Sequence, residues 1–280
     1  MEYTRSVIEI IKMRKSVRTF EENSIDEDTF IKLKEAIAQT NEQMSCKGRI
    51  ELIGSSSQEG EKKQQLGTYG FISGAKMFLI GIIDKEENNA LEFGYWFEKI
   101  ILHATDLNLG TCWLGGTFKR DDFIQSTELK ENEIIAVISP VGSKKEKKRV
   151  VETAMRAVIS ADKRKPWAQL FFENSCMRPL LEYRAKAYAE ILEMVRLGPS
   201  ASNKQPWRIM LKDNAYHFFL CRTKGYPTSF YDMQKNDIGI AMCHFELCAK
   251  ELRLKGSWKQ RNDIEASEAL EYIVSWEMEE

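Results

Sequence analysis

Histidine is scarce in this 280-residue chain, which holds three. The six cysteines, Cys46, Cys112, Cys176, Cys221, Cys243 and Cys248, form no Cys-x-x-Cys pair, and Cys243 and Cys248 stand five apart. Neither spacing suits zinc, so a Cys/His metal centre is not expected. The cysteines read as reduced, mostly buried small hydrophobes. An excess of charge is also missing. Forty-one basic residues face 42 acidic ones, for a net charge of −1. That balance gives no footprint for nucleic acid or an anionic membrane surface. No apolar run reaches the ~18 residues of a membrane-spanning helix. The opening stretch "MEYTRSVIEIIKMRKS" lacks the apolar centre of a secretion signal, so a cytoplasmic location is expected. No Ser-His-Asp pattern and no catalytic histidine stand out. His103 and His244 fall within long helical patterns and read as satisfied core or interface residues.

What the chain does contain is a repeat of itself. "EFGYWFEKIILHATDLNLGTCW" (Glu92 to Trp113) aligns without gaps on "DIGIAMCHFELCAKELRLKGSW" (Asp237 to Trp258). The offset is 145, so Gly94 meets Gly239, Ala104 meets Ala249, and Trp113 meets Trp258. Upstream, "DTFIKLKEAIAQ" followed by "RIELIG" has the same helix-link-strand plan as "YAEILEMVRLGPSASNKQPWRIMLK". The period is too long for a solenoid, whose repeats run about 20–50 residues. Two copies in one chain suggest a fused dimer in which shared surfaces build the site. The halves are placed at residues 1–160 and 161–280. The basic stretch Ser143 to Trp167 reads as the link between them, either as a solvated face or as the supplier of a cation to an anionic ligand.

Three short stretches carry chemistry. "RKSVRTF" (Arg14 to Phe20) gathers Arg14, Lys15, Ser16 and Arg18, donors that suit a phosphate. "LNLGTCWLGGTF" (Leu107 to Phe118) ends a helix in a glycine bend. There Trp113, Leu114, Gly115 and Gly116 would let a flat ligand approach the backbone. "GPSASNKQPW" (Gly198 to Trp207) is too long for a plain turn. It offers Ser200, Ser202, Asn203 and Gln205 as polar contacts, Ala201 between them, and Pro199 and Pro206 as stiff ends. Each stretch by itself also reads as ordinary structure: a helix end with basic residues, a helix stop, and a helix-to-strand turn.

Together the three resemble the signatures of the FMN-dependent nitroreductase family, and most of all its single-chain branch, in which two halves imitate the usual dimer. The resemblance covers nearly the whole chain. It implies an α+β fold of mixed, mostly antiparallel sheets flanked by helices, with a long central helix pair. It implies one FMN between the halves. Arg14, Lys15, Ser16 and Arg18 with Trp113, Leu114, Gly115 and Gly116 would come from one half. Pro199, Ser200, Ala201, Ser202, Asn203 and Gln205 would come from the other. A later basic residue, Lys147, Lys148 or Arg149, would assist the phosphate. No residue need be catalytic, because the flavin carries the chemistry, with NAD(P)H as donor and a small oxidised aromatic, a nitro compound or quinone, as acceptor in ping-pong order. Tyr69, Phe71, Phe230 and Tyr231 are candidates for the acceptor pocket. The second site is expected to be lost, since "RxSxR" and "GTCWxGG" occur only in the first half and "PSAxN" only in the second. A monomer is expected because the halves supply each other's dimer contact. The alternatives are a flavin-binding sensor or carrier without turnover, and a flavin-consuming or dehalogenating relative.

Overall fold

The structure is a computed structural model that describes residues 2–23, 25–54, 67–86, 89–145, 163–226, 231–264 and 269–279. Two sheets lie on either side of a pair of long helices. The first holds β1 (Gly48–Gly54), β2 (Met77–Asp84), β3 (Gly110–Thr111) and β4 (Glu133–Gly142). Its order is β1-β2-β4-β3 and every pairing is antiparallel. The second holds β5 (Phe171–Glu173), β6 (Ser175–Pro179), β7 (Trp207–Lys212), β8 (Ala215–Leu220), β9 (Gly256–Lys259) and β10 (Glu271–Met278). Its order is β6-β5-β7-β8-β10-β9, with β5 and β7 parallel and the rest antiparallel. The run β7-β8-β10-β9 repeats the order of the first sheet.

The helices are α1 (Val7–Met13), α2 (Glu27–Gln43), α3 (Ala90–Asp106), α4 (Arg120–Ile124), α5 (Glu182–Ala185), α6 (Tyr188–Arg196) and α7 (Met233–Glu251). In α2 the buried positions Leu33, Ala36, Ile37 and Thr40 follow the helical period, and the Asp26 side chain accepts the Thr29 N–H at its start. The two long helices are less one-sided. α3 buries Phe93, Phe97, Ile100, Ile101 and Ala104, and α7 buries Ile238, Ala241, Phe245 and Cys248. Such wide burial suits helices packed between two sheets. They start at Asn89 and Asp232, whose side chains accept N–H groups of the first turn.

Glycine sets how closely α3 and α7 approach. A Cβ on Gly94 would lie 2.3 Å from the Asn236 carbonyl oxygen, and one on Gly239 would lie 2.0 Å from that of Leu91. The two contacts are images of each other at the offset of 145, since 239 − 94 and 236 − 91 are equal. A contact in which i meets j and j meets i is the geometry of a two-fold interface.

The packing crosses the sequence division. α1 buries Val7, Ile8, Ile10 and Ile11 in the core of the second sheet, beside Phe171, Ile191 and Phe245. Tyr231, from the second half, packs with the core of the first. The segment before α1 is tied to the far ends of both long helices. The Thr4 N–H and hydroxyl donate to the Asp106 carboxylate at 2.6 and 2.9 Å, and the Ser6 hydroxyl donates to Glu251 at 2.6 Å. Burial pulls the Asp106 carboxyl upward, but Thr4 and the Arg5 guanidinium outweigh it and hold its pKa below the ordinary value. Cys112, Cys243 and Cys248 are buried, while Cys46 and Cys221 are half-buried and Cys176 is exposed. The expectation of mostly buried thiols therefore holds for only half of them, because Cys176 sits on the solvent-facing strand β6.

Candidate functional site

The anchored α1 delivers the arginine-rich segment to a defined place. Past Met13 the chain is extended and runs beside β3. The Val17 N–H donates to the Thr111 carbonyl at 2.8 Å, and Ser73 and Phe20 exchange further main-chain bonds with this segment. This pairing sets the first motif against the second, because Thr111 leads directly into Cys112, Trp113 and the glycine bend. The bend is pinned in turn by Leu114, which exchanges both main-chain bonds with Ile138 of β4 at 2.9 Å.

The third motif arrives from the opposite side. α6 ends at Arg196, and Gly198 to Pro206 form the loop that leads into β7. Ser202, Asn203 and Gln205 all hold positive φ, at 46°, 55° and 48°. Three non-glycine residues in the left-handed region within four positions is a costly arrangement that surrounding bonds must hold in place. Those bonds are present. The Ala201 N–H donates to both Asp237 carboxylate oxygens at 3.1 and 3.0 Å, and the Gln205 N–H donates to Ser200 Oγ at 2.8 Å. The Arg164 guanidinium donates to Asn203 Oδ1 and to the Leu197 carbonyl, both at 3.1 Å.

The three motifs close around one cavity of about 680 Å³. That lies within the ~300–1,000 Å³ usual for ligand sites. Arg14, Lys15, Ser16 and Arg18 line one side, Trp113, Leu114, Gly115 and Gly116 a second, and Pro199, Ser200, Ala201, Ser202 and Asn203 a third. Gln205 does not line it. Its side chain is buried behind the loop, where Oε1 accepts the Lys165 N–H at 2.7 Å and Nε2 donates to Asn203. It braces the loop instead of facing a ligand. Lys147, Lys148, Arg149 and Phe230 lie outside the described residues. Of the other acceptor-pocket candidates, Phe71 and Tyr231 line the cavity, whereas Tyr69 is exposed and does not.

The sequence reading missed several members of the wall. Arg164 stands at the far end of the basic link from the cation chosen there, and only its bond to Asn203 reveals it. Arg120 at the start of α4 donates to the Gly115 carbonyl at 3.0 Å and holds the glycine bend. Tyr226 and Met233 add apolar surface. Asp237 is buried, and burial pushes its carboxyl well above the ordinary carboxylate range, the Ala201 N–H opposing and Asp232 adding to the rise. Five cationic side chains, Arg14, Lys15, Arg18, Arg120 and Arg164, thus share the described wall with this one carboxyl.

Two features show what the wall can hold. Arg18 is buried, and its Nη1 has no hydrogen-bond partner among the described residues. A buried guanidinium nitrogen without an acceptor is costly unless an anion completes it. Across the cavity, a Cβ on Gly116 would meet nothing within 4 Å, so the backbone there faces open space that a flat group can approach. Among the described residues no cluster of three or more His, Cys, Asp or Glu side chains could hold a metal, and no helix is long and apolar enough to cross a membrane.

Behind the wall, Glu98 of α3 and His244 of α7 are fully buried and joined, Nε2 to Oε1, at 2.9 Å. The Trp113 indole N–H donates to the other Glu98 oxygen at 2.7 Å. His244 is thus a satisfied interface residue. His103 is not: its buried Nδ1 has no hydrogen-bond partner among the described residues, and burial lowers its pKa.

A family model described as "Putative TM nitroreductase" matches residues 6–249. No curated protein matches significantly. Among solved structures, a "putative nitroreductase" of Thermotoga maritima aligns over 99% of this chain and 95% of its own, with TM-score 0.59 and 19% identity. A nitroreductase with bound FMN from Desulfitobacterium hafniense aligns over 52% of this chain and 92% of its own, with TM-score 0.40 and 17% identity. A "putative nitroreductase in complex with FMN" from Desulfovibrio desulfuricans aligns over 53% and 95%, with TM-score 0.39 and 16% identity.

Proposed function

Because the chain belongs to this nitroreductase family, we propose that it is an FMN-dependent oxidoreductase that draws electrons from NAD(P)H and delivers them to a small oxidised aromatic acceptor. The observation that carries the cofactor is the buried Arg18 Nη1, without a hydrogen-bond partner among the described residues at the point where all three motifs converge. A phosphate monoester carries about −1.5 to −2 charges near neutral pH and three strong acceptor oxygens. Arg14, Arg18 and Ser16 would hold it, with Arg164, Ser200, Ser202 and Asn203 closing from the other half. The Gly115–Gly116 bend and Trp113 would face the ring. FMN supplies the two-electron redox chemistry when bound.

The chain's own residues then bind, orient and exclude water. Phe71, Tyr226, Tyr231 and Met233 form an apolar wall that suits a planar acceptor better than a sugar or peptide. The surplus of cations would favour a ligand or donor with several anionic groups.

Purified protein exposed to FMN and then desalted is expected to keep flavin absorbance and to oxidise NAD(P)H faster than the same amount of unbound flavin. Protein that leaves the column colourless overturns the cofactor assignment. Protein that keeps flavin but oxidises no NAD(P)H overturns the enzymatic one and favours a carrier.

A further inference from the structure

Glu98 sits where a carboxylate is expensive. Its side chain is fully buried, so each oxygen must be satisfied within the protein. Oε2 accepts the Trp113 indole N–H, and an indole can only donate. Two nitrogen-bearing side chains reach for Oε1. His244 Nε2 stands at 2.9 Å and Arg14 Nε at 4.0 Å. The histidine holds the nearer position because its ring is fixed at both ends: its other nitrogen, Nδ1, lies 2.9 Å from the Met194 carbonyl oxygen. A carbonyl only accepts, so Nδ1 carries a proton. A second proton lies between Nε2 and Oε1. Whichever atom holds that second proton, the histidine and glutamate together are neutral. Glu98 is therefore answered by His244 at hydrogen-bond distance, while Arg14 stays at the longer ion-pair distance with its guanidinium on the cavity wall.

The pair has no image in the other half. At the repeat offset, Glu98 corresponds to Cys243 and His244 to Lys99. Trp258, the image of Trp113, donates instead to Glu246 at 2.8 Å. In a molecule whose helix contact and strand order both repeat, this buried pair occurs once among the described residues, directly behind the cavity that gathers all three motifs.

We infer that His244 is a positioning residue: by satisfying Glu98 it keeps Arg14 presented to the anionic end of the ligand instead of collapsing onto the buried carboxylate. The inference rests on the FMN reading above. It makes the effect of His244 specific to the phosphate. It also makes that effect reversible by removing the charge that would otherwise capture Arg14.

The test compares FMN with riboflavin, which lacks the phosphate, by fluorescence titration of flavin-free protein. His244→Gln is expected to weaken FMN about tenfold or more, the scale of one hydrogen bond to a charged group, while riboflavin binding stays near wild type. Adding Glu98→Gln to His244→Gln should recover most of the FMN affinity, because no buried carboxylate is left to draw Arg14 away. Equal losses for FMN and riboflavin would assign His244 a structural role only and overturn the inference, as would an unchanged FMN affinity. If His244→Gln does not fold, His244→Asn, alone and combined with Glu98→Gln, decides. An FMN-over-riboflavin preference lost in the first and regained in the second supports the inference, and a preference equal in both overturns it. Wild-type protein that binds neither flavin overturns the cofactor reading itself, an outcome distinct from all of these.

Discussion

At Gly115 a side chain has somewhere to go, and what lies there is Met233. A Cβ at this position would stand 2.5 Å from Met233 Cε and 2.7 Å from Sδ. Both atoms are the far end of a flexible chain that can swing aside. Gly115→Ala is therefore expected to fold at a cost of about 1 kcal/mol, while pushing Met233 into the cavity. Flavin titration should show weaker uptake than wild type, and Met233→Ala in the same chain should restore it. Unchanged uptake would place the ring away from this bend. The residues of the wall were only partly legible from sequence. Arg14, Ser16 and Arg18 announce themselves by their spacing. Gln205 looks like a ligand contact in the same way, yet it turns inward because Lys165 and Asn203 use its amide. Asp237 and Arg164 give no local signal, since each matters only through a loop far away in the chain.

The elements carry the repeat more faithfully than the residues do. α3 and α7 were visible as two aligned helical patterns, and the shared glycine turns out to be their contact point. Gly239→Ala would place a Cβ 2.0 Å from the Leu91 carbonyl oxygen and 2.8 Å from the Tyr95 nitrogen, both main-chain atoms that cannot step aside. The expected loss is about 3 kcal/mol or more, read as a lowered midpoint in urea. An unchanged midpoint would mean the helices part at no cost. The link strand β5 and hairpin strand β6 had no counterpart in the first half and were not foreseen. Their short sequences lack the apolar alternation by which a strand is recognised, and all of β6 is exposed.

For the whole molecule, the symmetry of the frame contrasts with the asymmetry of the site. Glu92, the image of Asp237, accepts the N–H groups of Ser45 and Cys46 at 2.9 and 3.0 Å, as Asp237 accepts that of Ala201. The anchor is kept on both sides, but the loop it holds is long and polar on one and short on the other. Tyr95 stands at the position of the cavity residue Ile240, with Lys99 5.9 Å from its ring and 4.3 Å from that of Trp96. Lys259, Gln260 and Arg261 replace Leu114, Gly115 and Gly116. Saturation with FMN is accordingly expected at about one flavin per chain, measured by absorbance against protein mass. Two per chain would show that the second half of the frame still binds.

The sequence alone determined the repeat, the long helices, one strand in each half and the three motifs, because these rest on periodicity and on residue types with one plausible use. The tertiary structure decided which of the motif residues face the cavity and which brace it. It brought α1 across to the second core, placed Arg164 and Asp237 beside loops distant in sequence, and seated Glu98 against His244 with Arg14 at the edge. The physical reason is the same in each case. Burial and pairing are properties of what lies across the fold, and a side chain's neighbours across the fold are not written in its neighbours along the chain.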